Sequence, residues 1–298
     1  MVRVLTLGIT VFDTVLEVAG LPASGGKFYA TGRAEVVGGI AANAAIAIVR
    51  LGGEAALASR VGDDLVAERI VAELAVAGVD TGLVEWLNGV RSSVSTILVD
   101  ASGERLLINH ADPALFRGTP DLDRLTVDAV MTDTRWPEGA LAALRRARAL
   151  GVPGLLDYDR LAERLSPELL AAASHVVFGR QGLEALTGTA DVATGLLQVR
   201  GTTEAWLACT SGGDGVHWLA GDALRHLPAF AVEAVDTLAA GDVFHGAFAL
   251  ALAEGQSEYA AMRSASAAAA LKCRRFGGGS VSPTRAEVEA FLAEVDRC

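Results

Sequence analysis

The chain has 298 residues, 51% of them hydrophobic and only 5% aromatic, so it can bury a large core, and its many Ala and Gly suit helices packed closely on a sheet. A net charge of −11 without a dense Lys/Arg run argues against nucleic-acid and membrane partners, and no apolar stretch reaches the roughly 20 residues a membrane span needs. Cys209, Cys273 and Cys298 are far apart and outside any C-x-x-C spacing, so neither a disulfide framework nor a thiolate metal site is indicated, and a reducing cytoplasm fits.

The opening "VRVLTLGI" reads as a first strand and not a leader, because Asp13 and Glu17 interrupt the apolar run before any cleavage site. Residues 11 to about 35 break the pattern that follows and read as antiparallel ribbon. "GGIAANAAIAIVRLGG" is helical with Gly52 as its stop, "EAALASRVG" is a strand, and "DLVAERIVAELAVAG" is a helix with Leu65, Ile70, Leu74 and Ala77 on one face and Gly78 at its end. A second ribbon, about 85 to 115, contains "SVSTILVDASGERLLIN", two β-type runs around a Ser102-Gly103 turn. Alternation then resumes with "DAVMTDT" (strand), "EGALAALRRARALG" (helix), "VPGLLDYD" and "SHVVFG" (strands). The expected fold is α/β, a doubly wound sandwich with a mostly parallel sheet, in one domain over 1–298. The two ribbons are expected to form one small inserted sheet, a lid over a ligand.

"VDTLAAGDVFHGAF" (235–248) carries the first chemistry. A helix beginning near Gly241 or Asp242 leaves the N–H groups of Ala239, Ala240 and Gly241 free at its positive end, and small side chains let an anion approach. An acidic residue there suits a base that deprotonates a hydroxyl about to attack a phosphoryl group. Read alone, the same residues describe an N-cap at Asp242 with Thr237 supporting a turn. "GLPASGGKF" imitates a phosphate-binding loop, but its spacing is off and no helix follows.

The segment resembles the second signature of the PfkB, or ribokinase-like, carbohydrate kinases, with Phe244 and Gly246 in place. "VGGIAANAAIAIVRLGGEAALASRVGDD" resembles their first signature, with Gly38, Gly39, Asn43, Ala45, Leu51, Gly52 and Gly62-Asp63 in order. The resemblance implies a three-layer α/β/α fold and an ATP- and Mg²⁺-dependent sugar kinase. It makes Asp242 the base, residues 239–241 the anion hole, and Asp13, Gly38, Gly39 and Asn43 substrate-binding. Thr210, Gly212 and Gly215 of "TSGGDG" would form the nucleotide turn, and a homodimer would form through the lid. One departure stands out: where relatives carry Asn-x-x-Glu in support of Mg²⁺, "FGRQGLEALTG" has Gly179 and Gly182. The metal ligand is therefore open, Glu184 being shifted by two positions, while Arg180 is a candidate phosphate contact.

Lys27 in "SGGKFYATGR", Asn109 in "ERLLINHADP" and Arg135 in "MTDTRWPEG" would suit a small anionic group if they converge, and otherwise are three unrelated surface residues. "FGRQGL", "DTRWPEGA" and "GDVFHGAFALALA" further resemble the branch of the family that phosphorylates the 1-hydroxyl of 6-deoxy-6-sulfofructose. That resemblance implies that Lys27, Asn109 and Arg135 grip the sulfonate. Kinases for 2-keto-3-deoxygluconate, fructose or ribose, and a non-catalytic sugar or nucleotide sensor, are the alternatives.

Overall fold

In β1 (Arg3–Leu7), Val4, Leu5, Thr6 and Leu7 are all buried. Successive side chains point to opposite faces of a strand, so both faces of this sheet must be covered. The computed structural model describes residues 1–102, 104–159 and 167–297; Gly103 of the expected hairpin turn and Cys298 lie outside them.

Two ribbon strands follow, β2 (Val11–Glu17) and β3 (Gly32–Gly38), then α1 (Ile40–Arg50), β4 (Glu54–Gly62), α2 (Leu65–Val76) and β5 (Asp80–Leu87). Next come β6 (Val94–Val99), β7 (Arg105–His110), β8 (Ala129–Thr132), α3 (Pro137–Leu150), β9 (Gly154–Tyr158), α4 (Pro167–Ala172), β10 (His175–Gly179), α5 (Arg180–Thr187) and α6 (Val192–Arg200). The chain ends with β11 (Trp206–Thr210), β12 (Val216–Ala220), β13 (Ala223–Leu227), α7 (Ala240–Ala253), α8 (Glu258–Cys273) and α9 (Arg285–Val295). Among the described residues the large sheet runs β13-β12-β11-β10-β9-β8-β1-β4-β5, parallel except at β12 and β13. Helices α1, α2, α7 and α8 bury one face of it, around Ile48, Ile70, Phe248 and Ala265. Helices α3, α5 and α6 bury the other, around Leu144, Leu183 and Leu196.

The small sheet has the order β3-β2-β6-β7. It departs from the expected ribbons in two ways. Glu85–Leu87 belong to the large sheet as the end of β5, and β2 pairs with β6 in parallel, so two antiparallel hairpins are joined side by side. Leu65 also leaves its expected face: it is 74% exposed, whereas Ile70 and Leu74 are buried. Five positions turn a helix by roughly 140°, which carries Leu65 away from Ile70. Asp64 caps α2 through its side chain, accepting from the Ala67 N–H at 3.0 Å.

Candidate active site

Strand order reverses between β1 and β8, the place where open parallel sheets leave a crevice at their carboxyl ends. A cavity of about 660 Å³ opens there, floored by Ile9 after β1, Thr134 and Arg135 after β8, and Gly39 and Asn43 at the start of α1. The small sheet forms its other wall through Asp13, Ser95 and Asn109. Buried Asp133 stitches the floor together, accepting from the Ile9 and Arg135 amides at 2.8 Å each. Burial raises its pKa to about 6 against the pull of those two donors. Across the cavity, burial likewise raises Asp13 to about 6, and the Ser95 hydroxyl donates to its carboxylate. Gly38 is required beside it, because a Cβ there would stand 1.9 Å from Asp13 Oδ2.

Asp242 lines this cavity from the third residue of α7. It is not the N-cap, since the helix begins at Ala240 with Ala239 as the capping residue. Two helices cross tightly to place it. A Cβ on Gly246, one turn further on, would come within 2.5 Å of the Ala44 carbonyl, so only Gly lets α7 meet α1 here. The crossing brings Asn43 Nδ2 to 2.7 Å from Asp242 Oδ2. The Gly279 N–H donates to Asn43 Oδ1 at 3.0 Å, which turns the amide's donor side toward the carboxylate. Burial is the main force on Asp242 and pushes its pKa to about 7, with Asp157 and Asp133 adding to the rise and Asn43 and His245 opposing it. His245 is itself buried, its Nδ1 3.0 Å from Asp157 Oδ2. Burial disfavours the imidazolium, but the neighbouring carboxylates outweigh it and its pKa rises.

A second cavity of about 580 Å³ lies on the other side of the α7 start. Its lining includes Thr210, Gly212 and Gly215 from the "TSGGDG" turn, Ala240 and Gly241, and Ser266. The last residue before the helix, Ala239, has φ 61°, the only positive value among described non-glycine residues. Strain of this kind persists where surrounding contacts over-determine it. Of the three amides expected to be free, the Ala240 N–H donates to the Thr237 carbonyl at 3.3 Å, while those of Ala239 and Gly241 have no protein acceptor among the described residues.

Asn109 and Arg135 thus share the first cavity, but Lys27 does not reach it and lies exposed in the β2–β3 loop. Arg135 Nη2 stands 3.7 Å from Asp159 Oδ2. Arg180 lines neither cavity and pairs instead with Asp214 at 2.6 Å, and Glu184 is exposed on α5. Sequence reasoning missed Asp133, Asp157 and Ser95, which carry no local motif, and Arg105, which lines the second cavity from the tip of the small sheet. His245 sat inside the signature but went unweighed.

The pattern of the PfkB carbohydrate kinases matches residues 1–285. A ribokinase of Bacillus subtilis is 30% identical, covering 98% of this chain and 99% of its own. An ATP-dependent ribose-1-phosphate kinase of Halopiger xanaduensis is 34% identical over 99% of both. A crystal structure from Agrobacterium tumefaciens, of a protein with the provisional name ribokinase, is 40% identical with a TM-score of 0.92, over 100% of this chain and 99% of that one. With a family match over nearly its whole length and a matching fold, the chain belongs to the PfkB family of carbohydrate kinases.

Proposed function

We propose that this ATP-dependent carbohydrate kinase phosphorylates a small anionic sugar, 6-deoxy-6-sulfofructose at its 1-hydroxyl, with Asp242 as the base. The observation that carries this reading is the position of one helix start. Asp242 faces the first cavity while Ala240 and Gly241 face the second, so an acceptor in one and a nucleotide in the other meet across a single turn. A carboxylate with a pKa near 7 is well matched to accept a hydroxyl proton at neutral pH. The Ala239 and Gly241 amides would meet charge developing on the transferred phosphoryl oxygens, support worth several kcal/mol in a water-poor site.

Arg135 and Asn109 favour an anionic acceptor, since both enter the sugar cavity and a guanidinium is suited to sulfonate or phosphate oxygens. The relative named for ribose 1-phosphate acts on a sugar of that charge class. The small sheet would serve as the lid, bringing Lys27 inward on closure. Its exposed Ile108, on the face of β7 opposite the cavity-lining Leu107, would pack against a second copy. A second reading, a neutral sugar such as ribose, is favoured by the present distance of Lys27 from the cavity and by the ribokinase relative.

Magnesium would screen the nucleotide phosphates when bound. No cluster of three or more candidate ligands exists among the described residues, which suits an ion that keeps its waters and takes one or two carboxylates. A side chain at 182 would force the backbone to shift, because its Cβ would lie 2.4 Å from the Tyr158 carbonyl. Asp159 Oδ1 lies 3.5 Å from the Cβ position of residue 179 and is the carboxylate we assign to that support.

The test is ATP consumption with 6-deoxy-6-sulfofructose, fructose 6-phosphate, fructose, ribose and 2-keto-3-deoxygluconate in parallel. Selective turnover of the sulfosugar supports the full reading. Turnover of ribose or fructose alone replaces the anionic acceptor with the neutral one, and no turnover of any sugar points to a sensor.

A further inference from the structure

Lys272 is fully buried near the end of α8, and none of the chemistry above uses it. Its Nζ donates to Asp236 Oδ2 at 3.0 Å and to the Asp236 carbonyl at 3.1 Å. The same carboxylate accepts from the Leu238 amide at 2.8 Å and the Gly277 amide at 3.1 Å. The Val235 and Asp236 amides in turn donate to the Cys273 carbonyl at 2.8 and 3.0 Å. The ammonium, on Asp236, and these amide bonds together tie residues 235–238 to the end of α8, immediately before the left-handed Ala239 and the start of α7.

Stability alone does not account for such a pair, because replacing a buried ion pair by apolar groups is often neutral or stabilising. Elsewhere the chain meets its need for cations almost entirely with arginine, Lys27 and Lys272 being its two lysines. An arginine would present a wide planar fork; lysine presents a compact point charge. A carboxylate oxygen and a carbonyl oxygen are ligands that a hard monovalent ion would also take. Burial lowers the Lys272 pKa while Asp236 works to keep the charge in place.

We propose that Lys272 is a positioning residue whose ammonium serves as a tethered monovalent cation, holding the 236–240 turn in its strained form and freeing catalysis from any dissolved cation. The proposal rests on reading that turn as the anion hole. It acts through the turn, not on the sugar, so its loss should appear in kcat and leave the KM for sugar within about twofold.

The experiment compares wild type, Lys272→Ala and Asp242→Asn, with tetramethylammonium, potassium or ammonium as the only monovalent cation and circular dichroism to check folding. Wild-type turnover should be the same in all three salts. Lys272→Ala should lose on the order of 10²-fold in kcat in tetramethylammonium, the cost of one misplaced oxyanion donor. At least tenfold should return in ammonium or potassium, whose ions fit the space vacated beside Asp236. A folded Lys272→Ala with unchanged kcat, a loss that no small cation restores, or a wild type strongly stimulated by potassium overturns the proposal. If Lys272→Ala does not fold, the charge-free pair Asp236→Asn/Lys272→Met replaces it: depressed kcat supports the proposal and wild-type kcat overturns it. Loss in Asp242→Asn with no effect at Lys272 rejects this inference but keeps the reading of the site, whereas no effect at either position rejects both.

Discussion

The two cavities that meet at the start of α7 are built from different materials. The first cavity, which we assign to the sugar, is walled by side chains that converge from distant segments, with Asp13, Asn43, Asn109, Arg135 and Asp242 each from a different element or loop. The second cavity, which we assign to the nucleotide, is walled mostly by glycine and alanine, with Thr210, Gly212, Gly215, Ala240, Gly241 and Ala270 close around it. Specificity for one sugar needs polar groups at fixed points, whereas a flat base and a phosphate chain need room and amide donors. Substitutions should therefore act on substrate choice in the first cavity and on nucleotide affinity in the second. The start of α7 serves both, Asp242 lining the first and Ala240 and Gly241 the second.

The largest expected effect is at Asp242. Asp242→Asn keeps the shape and the Asn43 contact but cannot accept a proton, so kcat should fall by about 10³-fold, within the usual range for a lost general base. Steady-state ATP consumption measures it, and near-full activity would remove Asp242 as the base. The same variant carries a stability signature. A carboxyl raised to about 7 binds its proton more tightly folded than unfolded, so its favourable contribution is complete below the ordinary carboxylate range and lost as pH rises through 7. Asp242→Asn should thus melt ~2–4 °C higher than wild type at pH 8, with the gap narrowing as pH falls below 7 and closed only below about pH 4. A lower Tm at pH 8 would show that the charge is not strained.

Arg135→Ala tests the sugar cavity alone. It should raise KM for a sulfonated or phosphorylated sugar by about 10–100-fold, the range for losing a charge-assisted contact, while KM for ATP and for neutral sugars moves by less than about threefold. Equal effects on charged and neutral sugars would leave Arg135 as the structural partner of Asp159 only. A pH profile sharpens the comparison further. Because Asp242 must be ionised to act, kcat/KM should rise with unit slope through about pH 7 in wild type. Asp13 and Asp133 titrate near 6, so a limb centred there would point to the sugar-cavity carboxylates in place of the base.

Much of this division was legible before the fold. Gly38, Asn43, Gly246 and the turn before Asp242 sit in contiguous signatures because close backbone approach and a helix start are local demands, written within a few residues. The alternation of strand and helix was readable for the same reason. Charge partners were not. Asp133 and Asp157 come together only when β8 and β9 pair, and Asp236 meets its cation only when α8 packs beside its loop, and no periodicity reports that. Lys27 is the converse case: a cation after two glycines in a ribbon loop invited convergence with Arg135, and in this structure the loop stands in solvent.

The smallest effect tests whether the nucleotide cavity is as poor in side-chain contacts as it looks. Ser266 lines it from α8, and its buried hydroxyl has no hydrogen-bond partner among the described residues. A buried hydroxyl without a partner costs free energy unless a ligand supplies one, and the adjoining Ala269 and Ala270 leave a slot against this wall. Ser266→Ala should then raise KM for ATP by about two- to fivefold, the worth of one neutral hydrogen bond, with KM for sugar and kcat unchanged. If KM for ATP does not move, the hydroxyl meets water in the nucleotide complex and the cavity recognises its occupant by shape and main-chain amides alone. If KM for sugar moves as well, the two cavities are coupled through α7 and α8 and the separation drawn between them fails.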